Sequence, residues 1–225
     1  MITHLKQVLS KAQIGHIRSF LDKHKFKDGK LSANQLAEGV KNNQELMDAA
    51  NPQINALNNI IMSSLLARDD FKAATQFKNA GAPIYARYHP GQAYGMHIDN
   101  PIMGQQGNYY RTDISMTVFL NEPDEYEGGE LQIQAQPQDI SIKLPAGDVI
   151  LYPSTQWHCV KEVTAGERIV CVTWIQSRIR DPRQREILFQ LHGINNNLLP
   201  IAEAARENQE VNAVYTRLVQ MWSDV

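Results

Sequence analysis

His97 and Asp99 stand two residues apart at the end of the run Tyr-Ala-Arg-Tyr-His-Pro-Gly-Gln-Ala-Tyr-Gly-Met-His-Ile-Asp, residues 85–99. In a strand, residues i and i+2 point to the same face, so an imidazole and a carboxylate would converge on one point. They supply two-thirds of a 2-His-1-carboxylate facial triad, a donor set suited to non-haem Fe(II). Alone, the pair is more simply a polar surface pair. A second histidine, His158, follows Trp157 and opens the run His158-Cys159-Val160-Lys161-Glu162-Val163. A lone histidine is ordinarily a satisfied core or surface residue. In the company of His97 and Asp99, His158 is the candidate third ligand, because a jelly roll sets strands distant in sequence side by side.

Arg168 lies just past Thr164-Ala165-Gly166-Glu167, which reads as a hairpin turn. Parity then places Val170, Val172 and Trp174 on the same strand face as Arg168. An arginine on an apolar face is costly unless paired. A buried dicarboxylate would pair it through both prongs; the plainer alternative is an edge arginine bonded to Glu162 or Glu167. A hairpin centred on Ala165 also sets Cys159 and Cys171 opposite each other, as buried free thiols away from the His158/Arg168 face. Arg111, Asp113 and Trp174 are candidate substrate-facing residues, with solvated strand ends the other reading of Arg111 and Asp113. His89 precedes Pro90 and reads as a turn residue. Ser154 with His158 does not make a hydrolase, since no Gly-x-Ser-x-Gly elbow is present.

The elements that must position these groups fall into three stretches. Ile2 to Val8 predicts a short strand, and Ser10 with Gln13 a capping box opening a helix over 11–25. Residues 30–50 are mixed, with Leu31, Leu36, Val40 and Leu46 making a weak pattern. Asn51-Pro52 opens a helix to about residue 67 whose stripe is Ile54, Leu57, Ile61, Leu65 and Leu66. A third helix is expected over 69–78. From Ile84, short β-type runs alternate with turn signals: Ile84–Tyr88, Tyr94–Ile98, Ile114–Leu120, Glu130–Ala135, Ile140–Leu144, Val149–Tyr152, His158–Val163 and Arg168–Ile175. Strands at this spacing predict a sandwich or barrel. Residues 101–109, rich in Gly, Gln and Asn, read as a mobile flap beside the metal pair. Helix returns around Ile187, Leu188 and Leu191, and again over Ala202–Met221. The second has a face of Val211, Val214, Leu218 and Met221 that must bury against the jelly roll or another subunit.

Composition narrows the class. The 225 residues carry 22 basic and 24 acidic side chains, a net charge of −2, so no basic field draws the chain to nucleic acid or an anionic membrane. No apolar run reaches the roughly 18 residues of a membrane span. The N-terminus lacks the apolar core of a signal peptide. With two cysteines, no disulfide framework is implied, and a cytoplasmic setting is the expectation.

Together these residues resemble the Fe(II)/2-oxoglutarate-dependent oxygenases. The run around His97 is similar to the prolyl 4-hydroxylase branch, and more so to the bacterial PKHD-type hydroxylases. The motifs that carry the likeness are residues 94–100 (Tyr-Gly-Met-His-Ile-Asp-Asn), 125–131 (Glu-Tyr-Glu-Gly-Gly-Glu-Leu), 144–148 (Leu-Pro-Ala-Gly-Asp) and 174–177 (Trp-Ile-Gln-Ser), with Val40-Lys41-Asn42-Asn43 upstream. The resemblance covers nearly the whole chain. It implies a double-stranded β-helix core, Fe(II) on His97, Asp99 and His158, and 2-oxoglutarate on Arg168. In related prolyl hydroxylases a tyrosine near the His-x-Asp pair also bonds the cosubstrate; Tyr88 and Tyr94 are the candidates. A threonine that serves there after Gly-Gly-Glu is Leu131 here, which puts that contact in doubt.

Three ligands on one face of an octahedron leave three positions, two for the keto acid and one for dioxygen. Oxidative decarboxylation would give succinate, CO2 and an oxidant able to take hydrogen from a C–H bond, with ascorbate as a reductant. The expected fold is mainly β with α: a jelly-roll core over 80–178, an N-terminal helical layer over 1–79 and a C-terminal helical extension over 179–225. The expected activity is hydroxylation of an aliphatic C–H centre, prolyl, lysyl or on a siderophore-related small molecule, since this branch is often linked with iron uptake. The partner is then a peptidyl or small-molecule substrate, with a homo-oligomer as a further expectation. The alternative from another class is a non-catalytic, cupin-like metal-binding or iron-sensing module.

Overall fold

The computed structural model describes residues 1–32, 38–48 and 51–224. Leu36, of the weak pattern noted above, lies outside them. Two antiparallel sheets face each other. The larger has eight strands, in the order Thr3–Leu5, Val149–Pro153, Ile114–Phe119, Arg168–Ser177, Ile84–Tyr88, Gln44–Leu46 and Lys27–Asp28, with Phe77–Ala80 paired to the end of Arg168–Ser177. The smaller runs Ile140–Ile142, Leu131–Ile133, His158–Val160, Ala93–His97 and Lys41–Asn42. This is the jelly-roll arrangement expected, with consecutive strands distributed between the two sheets.

Alternation along the central strands builds two cores. Ile114, Met116, Val118, Val149, Leu151, Ile169, Cys171 and Ile175 face outward from the large sheet onto helices. Those helices are α1 (Lys11–Leu21), α2 (Pro52–Leu66) and α3 (Asp69–Thr75), which bring Ile14, Ile17, Leu57, Ile61 and Phe71. Phe119, Ile150, Tyr152 and Val170 face inward, against Leu131, Ile133 and Val160 of the small sheet. Arg168–Ser177, covered on both faces, reads as a near-continuous buried run broken by the half-buried, inward-facing Val172, Trp174 and Gln176.

Local signals set most helix starts. Ser10 and Gln13 form the expected capping box, and Asn51 caps α2 ahead of Pro52. Helix α1 ends at Leu21 rather than 25, because the Asp22 N–H turns to both Arg18 and Phe20 and the His24 ring bonds the Phe20 carbonyl. Helix α3 ends at Thr75, with Gln76 left-handed at φ 45°. Residues 77 and 78, the end of the expected helix, instead open the strand Phe77–Ala80, since pairing with Ile175–Ser177 outweighs local propensity. The first strand is short because Gln7 also turns left-handed and gives its N–H to Asp148.

Three expectations are corrected. Residues 101–109 are a β-hairpin, Ile102–Gln105 against Asn108–Arg111, turning at Gln106-Gly107 with Gly107 at φ 87°. Residues 164–167 are not the turn of a hairpin. His158–Val160 belongs to the small sheet and Arg168–Ser177 to the large one, while Val163–Gly166 pairs with Tyr126–Gly128. The chain crosses between sheets here, so Cys159 lies beside Gln132 and Cys171 beside Val118 and Tyr85. Both thiols are buried and free, but they do not face each other.

The first 79 residues supply more than helices, since Lys41–Asn42 and Gln44–Leu46 extend the small and large sheets respectively. At the other end, α4 (Pro182–Leu198) packs with α5 (Ala205–Trp222). Within the chain the α5 face is only partly covered: Val211 and Leu218 are half-buried, Val214 and Met221 are exposed, and the helix has no fully buried residue.

Candidate active site

His97 closes the strand Ala93–His97 and His158 opens its neighbour, so the two stand side by side in register on the small sheet. Their ring centroids are 4.2 Å apart. Asp99 follows just beyond the strand end, its carboxylate oxygens 3.9 Å from His97 Nε2 and 3.7 Å from His158 Nε2. These separations are too long for hydrogen bonds. One donor atom from each residue lies within 4.8 Å of the others, the spacing of groups that share an ion.

Backbone carbonyls fix which nitrogen of each ring is offered. His97 Nδ1 is 2.7 Å from the Gly95 carbonyl, and His158 Nδ1 is 2.9 Å from the Gln156 carbonyl. A carbonyl accepts only, so each Nδ1 carries the hydrogen and each Nε2 keeps its lone pair free for a metal. Burial, and then the neighbouring His158, push the His97 pKa down to about 4, keeping the ring neutral. Ser115, buried on the strand Ile114–Phe119, donates to Asp99 Oδ2 and orients the carboxylate. Two imidazole Nε2 atoms and an oriented carboxylate fit a divalent first-row metal such as Fe(II).

The three residues open onto a cavity of about 980 Å³ between the sheets, and Arg168 lines it too. Arg168 is 2% exposed and lies over the rings of Tyr88 (5.1 Å) and Phe119 (5.8 Å). Its Nε and Nη1 have no hydrogen-bond partner. Neither Glu162 nor Glu167 holds it; Glu167 pairs with Arg87 at 3.1 Å. A buried guanidinium with orphaned donors calls for an anion from the cavity side, and a carboxylate fits it. Val170, Val172 and Trp174 follow it along the same wall, as parity requires.

Tyr88 and Tyr94 both line the cavity. Burial pushes the Tyr88 hydroxyl up to about 12 and also raises that of Tyr94, so both remain protonated donors. Tyr94 stacks on His97 with centroids 3.7 Å apart and planes 14° from parallel. Leu131 lines the cavity as an apolar wall. Trp174 presents a buried Nε1 without a partner. Arg111 and Asp113 do not face the cavity. Arg111 grips Asp113 through two bonds, at 2.6 and 3.0 Å, and bonds the Ser177 carbonyl, while Asp113 takes the Ser177 N–H. They tie strand ends together.

Two features of the site were not anticipated. Ser115 had a signal available: Ser115 and Thr117 alternate with Ile114, Met116 and Val118, marking one face of a buried strand as polar. Lys41 and Glu45 form a buried ion pair at 2.6 Å on the cavity wall, joining the edge strand of the small sheet to Gln44–Leu46, the last but one strand of the large sheet. Lys41 Nζ also stands 5.2 Å from the Tyr94 ring centroid. Residues 41–45 carried no periodic signal, and only the fold brings their charges inward.

Comparison with known proteins places this geometry. Residues 83–176 match the profile of the 2OG-Fe(II) oxygenase superfamily. A PKHD-type hydroxylase of Thioalkalivibrio sulfidiphilus is 40% identical over 228 residues, covering 100% of both chains. The fold is similar to that of a prolyl hydroxylase of Trichoplax adhaerens in complex with a hypoxia inducible factor peptide fragment (TM-score 0.58, 16% identity, 78% of this chain and 83% of that one). It is also similar to HygX of Streptomyces hygroscopicus with nickel, 2-oxoglutarate and hygromycin B bound (TM-score 0.55, 15% identity, 79% and 84%).

Proposed function

The chain belongs to the PKHD-type hydroxylases of the 2OG-Fe(II) oxygenase superfamily, and from that premise we propose that His97, Asp99 and His158 hold its iron and Arg168 its cosubstrate. The protein is a 2-oxoglutarate-dependent dioxygenase. The observation that carries the residue assignment is the orphaned guanidinium of Arg168 in the cavity that the His-Asp-His cluster faces. A module that only stored or sensed metal would have no use for a buried, unpaired cation beside it.

Bound Fe(II) and 2-oxoglutarate supply the oxidising chemistry, with release of succinate and CO2. The chain's own groups do the rest. His97 Nε2, His158 Nε2 and the Asp99 carboxylate offer three donors to one side of the metal. Arg168 takes the far carboxylate of the keto acid, with Tyr88 and Tyr94 as hydroxyl donors on the same walls. Leu131, Tyr152, Val160, Val170 and Val172 line the cavity with buried or half-buried carbon and keep water from the reacting centre.

The substrate is an aliphatic C–H centre, either prolyl or lysyl in a peptide or part of a siderophore-related small molecule, met in the outer half of the cavity beside Trp174. The Trichoplax enzyme's peptide and HygX's hygromycin B support both kinds of partner on this fold. Ascorbate would serve as reductant. A net charge of −2 supports a substrate other than nucleic acid. No helix among the described residues is long and apolar enough to cross a membrane, and two free buried thiols are consistent with the cytoplasm. The exposed Val214 and Met221 of α5 support self-association.

Turnover tests the activity. The iron-loaded protein should convert 2-oxoglutarate to succinate in step with oxygen added to a substrate, read by mass spectrometry across prolyl peptides, lysyl peptides and siderophore-like compounds. Iron binding with no succinate under any of them would return the metal-binding module to first place.

A further inference from the structure

Tyr126 opens the strand Tyr126–Gly128 and is 3% exposed, yet its hydroxyl has no hydrogen-bond partner. It lies opposite Gly166 in the segment that leads into Arg168. A Cβ added at Gly129 would sit 3.0 Å from Arg168 Cδ and 3.1 Å from Tyr126 Cε2. Gly129, at φ 68°, thus lets the phenol and the arginine stem close on one spot. Lys143 stands 4.1 Å over the Tyr126 ring and donates to the Tyr126 carbonyl, which holds the ring in place. Burial raises the Tyr126 pKa, and the charge and hydrogen-bonding reach of Arg168 pull it back down, so the hydroxyl stands close to the guanidinium while falling short of a well-formed hydrogen bond. Arg168 lines the cavity and Tyr126 does not, which puts the phenol behind the arginine.

Two unpaired N–H donors of Arg168 therefore stand beside one unpaired oxygen that can accept. We propose that Tyr126 is a positioning residue for 2-oxoglutarate: its oxygen accepts one Arg168 N–H when the keto acid's far carboxylate draws the guanidinium into line. Arg168 is then braced from behind while its remaining donors meet the carboxylate. The inference rests on the assignment of Arg168 to the cosubstrate.

The test is calorimetric titration of 2-oxoglutarate into Ni(II)-loaded parent, Tyr126→Phe, Arg168→Met and the double variant, with Ni(II) preventing turnover. Phenylalanine keeps the ring and its packing. Losing a hydrogen bond to a charged group should weaken 2-oxoglutarate binding about ten- to a hundredfold. Ni(II) affinity should stay at the parent value, and adding Tyr126→Phe to Arg168→Met should cost nothing further. In turnover the change should appear in KM for 2-oxoglutarate rather than in kcat. Parent-like binding by Tyr126→Phe overturns the proposal, as does an equal loss in the Arg168→Met background. If Arg168→Met binds as the parent does, the Arg168 assignment itself is wrong, and that result is distinct from a failure of Tyr126 alone.

Discussion

Replacing Arg168 with methionine separates cosubstrate binding from metal binding and from folding. The side chain is 2% exposed, lies among aromatic rings and has two nitrogens without partners. No carboxylate among the described residues pairs with it, so its counter-ion has to come from the ligand. Methionine would leave the far carboxylate of 2-oxoglutarate in a pocket walled by Tyr88 and Val170. Breaking a buried charge pair costs roughly 3–5 kcal/mol. At about 1.4 kcal/mol per tenfold, binding should weaken on the order of a hundredfold to several thousandfold. Lysine should rescue in part, keeping the charge without the planar fork. The free protein should behave oppositely. Removing an uncompensated buried cation should leave its stability equal or higher, whereas cutting a structural ion pair would lower it. Isothermal titration of 2-oxoglutarate into the metal-loaded variants, beside denaturant melts of the metal-free ones, reads both effects. Undiminished binding by Arg168→Met would refute the reasoning.

Further outcomes follow from the same geometry. The His97 pKa is about 4 in the folded protein against an ordinary 6.5, so the unfolded chain takes up the proton first as pH falls. Stability of the metal-free protein should therefore drop between pH 6.5 and 4, by roughly 3 kcal/mol at the limit. Denaturant melts of the parent and His97→Gln across that window should diverge; parallel curves would remove His97 from the account. Ser115→Ala should weaken Fe(II) binding about tenfold or more by freeing the Asp99 carboxylate, measured by chelator competition, and an unchanged affinity would show that Ser115 does not orient it. The hairpin at 102–111 is two-stranded, with Ile102 and Tyr109 exposed, so its amides should exchange fast in the free protein and slowly with substrate bound. Strong protection without substrate would count against a lid.

Much of this site was legible before any fold was known. His97 and Asp99 are close in sequence, so their shared direction follows from strand geometry alone. Parity likewise placed Val170, Val172 and Trp174 beside Arg168. His158 and Arg168 could be named, but their route to the site was misread, because a hairpin and a crossover between sheets share the same turn residues at 164–167. Pairing partners lie far off in sequence, at Leu131–Ile133 and Ile114–Phe119, and no local signal encodes that choice. The same holds for residues 77 and 78, whose expected helix yields to pairing with Ile175–Ser177. Arg111 and Asp113 looked free because nothing in their neighbourhood showed Ser177 arriving beside them. Lys41 and Glu45 were hidden for the opposite reason: burying an ion pair between two sheets is costly enough that exposed charges were the better expectation.

The most direct test of the central assignment is a crystal structure grown without oxygen in the presence of Fe(II) and 2-oxoglutarate. It should show one iron bound by His97 Nε2, His158 Nε2 and the Asp99 carboxylate, with the keto acid reaching from that iron to Arg168. Iron held by other side chains, or 2-oxoglutarate lying away from Arg168, would contradict it.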